Sequence, residues 1–175
     1  MTEARSTSAD GSLTARRPRF RPLVWIPIVL LVGSVLGWLA LSPAPLPSPE
    51  GTVTATFPIS ETVYVGVLGP REMRDRSLTV RSIDFEVVGP GTATALVCRG
   101  GAIVSTRDAT AFCRSLDEVE GATIDFGSGD SLLLRFEARR QGRLLVQGID
   151  LEYRSGFQFG SGRTGPRVEV TALRR

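Results

Sequence analysis

The stretch "SLTVRSIDFEVV", residues 77–88, decides the fold. Leu78 and Val80 fall on one parity, and Ile83, Phe85 and Val87 on the other. A period of two is the mark of a β-strand, whose successive side chains point to opposite faces. The apolar set changes face near Arg81–Ser82, which predicts a β-bulge or a strand that bends between sheets.

The same alternation continues on both sides. Upstream, "TVTATF" puts Val53, Ala55 and Phe57 on one face, and "ETVYVGVL" does the same for Val63, Val65 and Val67. Downstream come "TATALVC", "ATIDF", "SLLLRFEA", "RLLVQGIDLEY" and "RVEVTAL", separated by the turn clusters "LGPRE", "VGPG", "CRGG", "FGSGDS", "RRQGR" and "RSGFQFGSGRTGP". Short strands punctuated by Gly and Pro predict an all-β domain over 52–175: a single antiparallel β-sandwich, or a jelly-roll-like barrel, of 7–9 strands. One short helix is expected within "TRDATAFCRSL", and no internal repeat is visible.

Before this domain the pattern is different. Residues 23–42, "LVWIPIVLLVGSVLGWLALS", form an uncharged run of twenty. As a helix it would extend about 30 Å, the thickness of a hydrocarbon core. It exceeds the roughly 7–15 residues of a signal-peptide apolar region, and Pro43 and Pro45 obstruct the available cleavage positions. The run is therefore expected to remain as a signal anchor, a single transmembrane helix. Trp25 and Trp38 sit near its two ends, where indoles favour the lipid–water interface. Gly33 and Gly37 form a small-xxx-small pair, a candidate homodimerisation face, although glycine is also simply common in membrane spans.

Charge sets the orientation. The chain has 21 Lys plus Arg and 18 Asp plus Glu, and every basic residue is Arg. Residues 1–22 hold five Arg against Glu3 and Asp10, whereas residues 43–175 balance sixteen Arg with sixteen acids. Positive charge stays cytoplasmic, so tail 1–22 is expected inside and 43–175 outside the plasma membrane. The tail's polar composition predicts disorder. Pro43, Pro45, Pro47 and Pro49 predict an extended polyproline stalk over 43–51. The neutral outer domain argues against a nucleic-acid partner.

Lys, His and Asn are absent. Arg in place of Lys, with abundant Gly, Ala and Pro, fits a GC-rich bacterial genome such as that of an actinomycete. The absences remove histidine-based nucleophile activation, imidazole metal ligation, Schiff bases and the P-loop lysine. No cofactor is implied.

Cys98 and Cys113 are the only cysteines, and both fall on the oxidising side of the membrane. They are expected to pair as a disulfide. There is no C-x-x-C spacing and no His to activate a thiol. The acidic residues Asp117, Glu118, Glu120, Asp125 and Asp130 are the densest oxygen cluster. Within them "DFGSGD" offers Asp125 and Asp130 as candidate calcium ligands, against the plainer reading of a solvated loop that matches no EF-hand spacing. The segment 153–166, "YRSGFQFGSGRTGP", carries Phe157 and Phe159 in a Gly-rich turn. It is a candidate binding loop, against a hairpin whose Phe residues tuck over the core edge.

"LEYRSG" followed by "TGPRVEV" resembles a C-terminal pattern of small, uncharacterised single-pass membrane proteins of actinobacteria. The resemblance covers about the last thirty residues and the anchor–stalk–domain layout. It implies the class and the source, and assigns no site.

The sequence thus predicts a bitopic membrane protein with a non-catalytic outer β-domain, an accessory or interaction module for another cell-envelope protein. A cell-wall glycan-binding module is the alternative, and a membrane-tethered hydrolase using the acidic cluster is the third reading.

Overall fold

The computed structural model describes residues 25–41, 44–48, 51–74 and 76–174. The expected tail 1–22, the ends of the expected span (Leu23, Val24 and Ser42) and stalk residues Pro43, Pro49 and Glu50 lie outside the described residues. The chain divides into two compact units, residues 1–36 and 37–175.

The helix α1, Trp25–Leu41, has 17 residues, or about 25 Å at 1.5 Å per residue. Among the described residues no helix is long and apolar enough to cross a membrane. From Trp25 to Leu36 every residue is exposed. Nothing approaches within 4 Å of a Cβ built on Gly33 or Gly37.

The second unit is mostly β. Its strands are β1 (Thr52–Pro58), β2 (Thr62–Leu68), β3 (Ser77–Asp84), β4 (Gly91–Cys98), β5 (Ser105–Thr106), β6 (Leu116–Glu118), β7 (Thr123–Asp125), β8 (Ser131–Ala138), β9 (Gly142–Val146), β10 (Ile149–Ser155), β11 (Gln158–Thr164) and β12 (Arg167–Leu173). They form three sheets, in the orders β1-β12-β9, β11-β10-β3-β7 and β5-β2-β8-β4-β6. Strand neighbours pair antiparallel except β1 and β12, which run parallel from Thr52↔Arg167 to Pro58↔Leu173.

The all-β expectation holds and the sheets are sandwich-like, but twelve strands among the described residues replace the expected 7–9, and one pair is parallel. Two of the differences have local causes. "RLLVQGIDLEY" is split into β9 and β10 at Gly148, whose φ of 97° breaks the extended chain. The strands β5, β6 and β7 have two or three residues each, too few for a period to show. The expected helix in 106–116 is one hydrogen-bonded turn, with Cys113 N–H donating to the Ala109 carbonyl at 2.9 Å. Helical residues appear instead in α2 (Pro70–Met73) and in a 3₁₀ turn over Phe126–Ser128.

The face change in the opening stretch is a bulge. Tyr153 pairs with Val80 and Glu152 with Ser82, which leaves Arg81 without a partner on β10. Before it Leu78 and Val80 are buried, and after it Ile83, Phe85 and Val87 pack on the same core. One extra residue thus lets a single segment keep both apolar sets inward.

β8 lies at the centre of the five-stranded sheet and is buried on both faces. Leu132 and Leu134 join the main core, while Leu133 joins a second cluster with Cys98, Ala109 and Cys113. Each such leucine contributes about 2 kcal/mol by leaving water. The Cys98–Cys113 disulfide is formed, and the loop it closes covers the Leu133 face.

Candidate functional site

Residues 44–48 of the Pro-rich segment are laid on the domain and do not stand free as a spacer. Tyr153 Oη donates to the Ala44 carbonyl at 3.2 Å, and Arg76 donates from Nη2 to Ala44 O at 3.0 Å and from Nη1 to Pro45 O at 3.1 Å. Thr164 Oγ1 donates to the Pro47 carbonyl. Proline lacks an N–H, so such a segment makes no ladder, but its carbonyls remain strong acceptors. Side chains from β10, β11 and the α2–β3 link take up this role.

The sequence of β11 explains the seat. Gly160 and Gly162 stand directly opposite Tyr153 and Leu151, both buried, so they share the core-facing side of the sheet. With no side chains at these two positions the edge strand leaves a trough. Leu46 packs on the core there, and its Cδ1 lies 3.9 Å from where a Gly162 Cβ would be.

A groove of about 630 Å³ opens beside this strap. Pro45 and Leu46 contribute to it, with Arg81 from the β3 bulge, Glu152 and Tyr153 from β10, and Phe159 to Arg163 from β11. The Arg81 guanidinium sits 5.6 Å from the centroid of the Phe159 ring, a cation–π contact. Because the bulge leaves Arg81 outside the ladder, its side chain is free to reach across to β11. At the other end Arg163 Nη2 binds Asp150 at 2.9 Å, and this neighbour raises the Arg163 pKa. The lining is thus aromatic and mixed in charge. A second depression of about 560 Å³ lies among Val67, Leu68, Pro70, Ile103 and Val104.

Phe157 and Phe159 have different settings. Ser155 and Gln158 close the β10–β11 hairpin, so Gly156 and Phe157 form its two-residue turn, with Gly156 at φ 60° as a II′ turn requires. Phe157 is 92% exposed at the tip and does not tuck over the core edge. Phe159 lies within β11, half exposed, under Arg81. The segment expected as a long turn is mostly strand.

Two of the five acidic residues, Asp117 and Asp130, converge on a cation supplied by the chain. Arg99 Nε donates to Asp117 at 2.6 Å, and Arg99 Nη1 to Asp130 at 2.8 Å and to the Thr123 carbonyl. Asp130 also accepts from the Gly100 and Asp125 N–H groups. Asp125 caps the 3₁₀ turn through Gly127 N–H. Of the two candidate calcium ligands, Asp130 is bonded through both oxygens to protein donors, and Asp125 through Oδ1 to the Gly127 N–H. Among the described residues no group of three or more His, Cys, Asp or Glu is placed to hold a metal ion.

The hydrogen bond from Arg99 is the main cause holding the Asp117 carboxyl below the usual carboxylate range. Burial pushes Asp130 the other way, but the Gly100 N–H, Arg99 and the Asp125 N–H together outweigh it and hold this carboxyl low too. Two carboxylates clamped on one guanidinium are unsuited to acid–base catalysis near neutrality.

Sequence reasoning missed Arg81, Arg99, Arg76 and Leu46. The one available signal was the Gly160/Gly162 alternation, which marks a strand face that something else must fill. Compared with known proteins, the chain matches no family model, no curated protein and no solved structure.

Proposed function

We propose that the chain is a bitopic plasma-membrane protein whose non-catalytic outer β-domain docks onto another protein of the cell envelope. The observation that carries this reading is α1, a helix without a charged residue and exposed from Trp25 to Leu36. A helix that is apolar all round needs a non-aqueous surrounding. Leu23 and Val24 extend its apolar run toward the length of a bilayer core. The closed Cys98–Cys113 bond fits an oxidising compartment, and the Arg-rich tail fits a cytoplasmic N-terminus. The Arg81–Phe159 groove is the docking surface, since Arg and aromatic side chains dominate the energetics of protein interfaces. The lack of His and Lys supports a binding role over a catalytic one.

The test is in two stages. The protein should resist alkaline carbonate extraction, and protease added to spheroplasts should digest the β-domain while sparing the tail. In-cell crosslinking should then return a reproducible envelope partner, lost in Arg81→Glu and Phe159→Ala. Extraction by carbonate would remove the anchor, and identical crosslinks from both variants would remove the groove as the docking surface.

The glycan-binding alternative is supported by the same aromatic ring beside Glu152 and Arg163. It predicts that the protein in detergent is retained on purified wall material and released by Phe159→Ala. Against it, Arg81 already covers one face of the ring that a sugar would stack on. The Gly33/Gly37 face is proposed as a homodimer contact, to be tested by crosslinking Gly33→Leu in membranes.

A further inference from the structure

The tip of the β10–β11 hairpin lies at the end of the apolar helix. Gln158 Nε2 donates to the Leu39 carbonyl at 2.9 Å, and Leu39 is in the last turn of α1, in the same compact unit as the β-domain. Chain connectivity gives the same proximity independently. Ala44 is bonded to Tyr153 and lies only three residues beyond Leu41, a reach of no more than about 10 Å. The strap therefore holds the hairpin close to the helix end.

At that tip Phe157 is 92% exposed, the most exposed of the large apolar side chains outside the helix among the described residues. Trp38 and Leu39, in the adjoining helix turn, are also exposed. Arg154 is exposed and stands directly opposite Phe159, one pair behind the turn. An apolar tip backed by guanidinium groups matches the boundary between acyl chains and phosphates.

We propose that Phe157 is a second membrane contact: the hairpin tip enters the outer headgroup layer of the bilayer that holds α1, with Arg154 facing lipid phosphate. This rests on the membrane-anchored reading of α1. Whatever non-aqueous medium covers Trp38 and Leu39 is then within reach of Phe157, because the residue next to it is bonded to the Leu39 backbone.

The test uses the full chain in nanodiscs of phosphatidylglycerol and phosphatidylcholine. An environment-sensitive dye is attached at Phe157→Cys, and in a separate protein at Val104→Cys, with the native disulfide left oxidised. Val104 is an exposed position in the disulfide-closed loop. The expected result is blue-shifted emission at 157, quenched by lipids spin-labelled near the headgroup, with the 104 dye remaining in water. Brominated lipids report on Trp25 and Trp38 in the same samples. If those tryptophans are quenched while the 157 dye stays wet, the hairpin contact is wrong and the anchor stands. A 157 dye that is dry but unaffected by spin-labelled lipid places a protein there and overturns the proposal. Equal quenching at 104 removes the specific contact of the tip. Unquenched tryptophans remove the anchor, and the proposal with it.

Discussion

Arg99 holds Asp130 through an Nη1–Oδ2 bond of 2.8 Å, and it is the only guanidinium on that carboxylate among the described residues. Asp130 is 5% exposed, so its charge depends on this partner and on two backbone N–H groups. The pair ties the end of β4 to the start of β8, beside the disulfide.

Replacing Arg99 leaves a buried carboxylate short of a donor. Arg99→Leu is expected to lower stability by about 2 to 3 kcal/mol in chemical denaturation of the protein in detergent. A loss within experimental error would mean that water compensates fully at this site.

Acid should weaken the same cluster. Asp117 and Asp130 both have folded-state pKa values below the usual carboxylate range, Asp117 chiefly through Arg99, and Asp130 because its donors outweigh burial. A depressed acid contributes stability that is complete above its unfolded pKa and is lost as pH falls through the folded value. Stability is therefore expected to be flat near neutrality and to fall below about pH 4. The gap between the native protein and Arg99→Leu should narrow in that window. A gap that is constant from neutral pH into acid would contradict the assignment.

The disulfide joins residues fifteen apart. The chain-entropy estimate for such a loop is about 3 kcal/mol, so the double variant Cys98→Ala, Cys113→Ala should lose a stability of that order. Both sulfurs lie in the Leu133 cluster and are buried. Reductant should accordingly act slowly on the folded protein and quickly in urea, as followed by thiol labelling.

Gly66 is a steric test of the loop that the disulfide closes. A Cβ at this position would come within 1.9 Å of the Ile103 carbonyl oxygen, while Gly66 N–H donates to the Val104 carbonyl. Gly66→Ala must push the 101–104 segment away and should cost about 1 to 3 kcal/mol. Hydrogen exchange should rise in that segment first.

The strap can be loosened without disturbing the core. Tyr153→Phe removes one bond to Ala44, worth about 1 kcal/mol, and keeps the ring. Leu46→Ala empties the trough left by Gly160 and Gly162. With the native disulfide left oxidised, a spin label at the exposed position Ser48→Cys should become more mobile in both variants, while β8 stays protected from hydrogen exchange; unchanged label mobility would show that the contacts do not hold the segment.

What could be read from the sequence was what side-chain parity records. The inward faces of β1 and β2 and the bulge at Arg81 followed from alternation alone, because each apolar set had to reach one core. The disulfide followed from there being two cysteines on one side of a presumed membrane. The parallel β1–β12 pair was invisible, since its partners are more than a hundred residues apart and neither strand marks the other. The strap was misread for a different reason. A run of alternating prolines is extended whether it hangs free or lies in a trough, and here the decision rests with Tyr153, Arg76 and two absent side chains on β11. Of the calcium candidates, Asp130 is held by Arg99, a partner distant in sequence that no local spacing marks.

β12 is the last of the twelve strands to be made, and it is the middle strand of its sheet, between β1 and β9. The sheet thus has no partly built native form. While the polypeptide is still emerging, β1 has nothing to pair with and its backbone edge is open to other chains. A ribosome stalled before residue 167, or a protease that trims the tail of the nascent domain, would leave two separated ribbons rather than a shortened sheet, and quality control could recognise incomplete molecules by that gap.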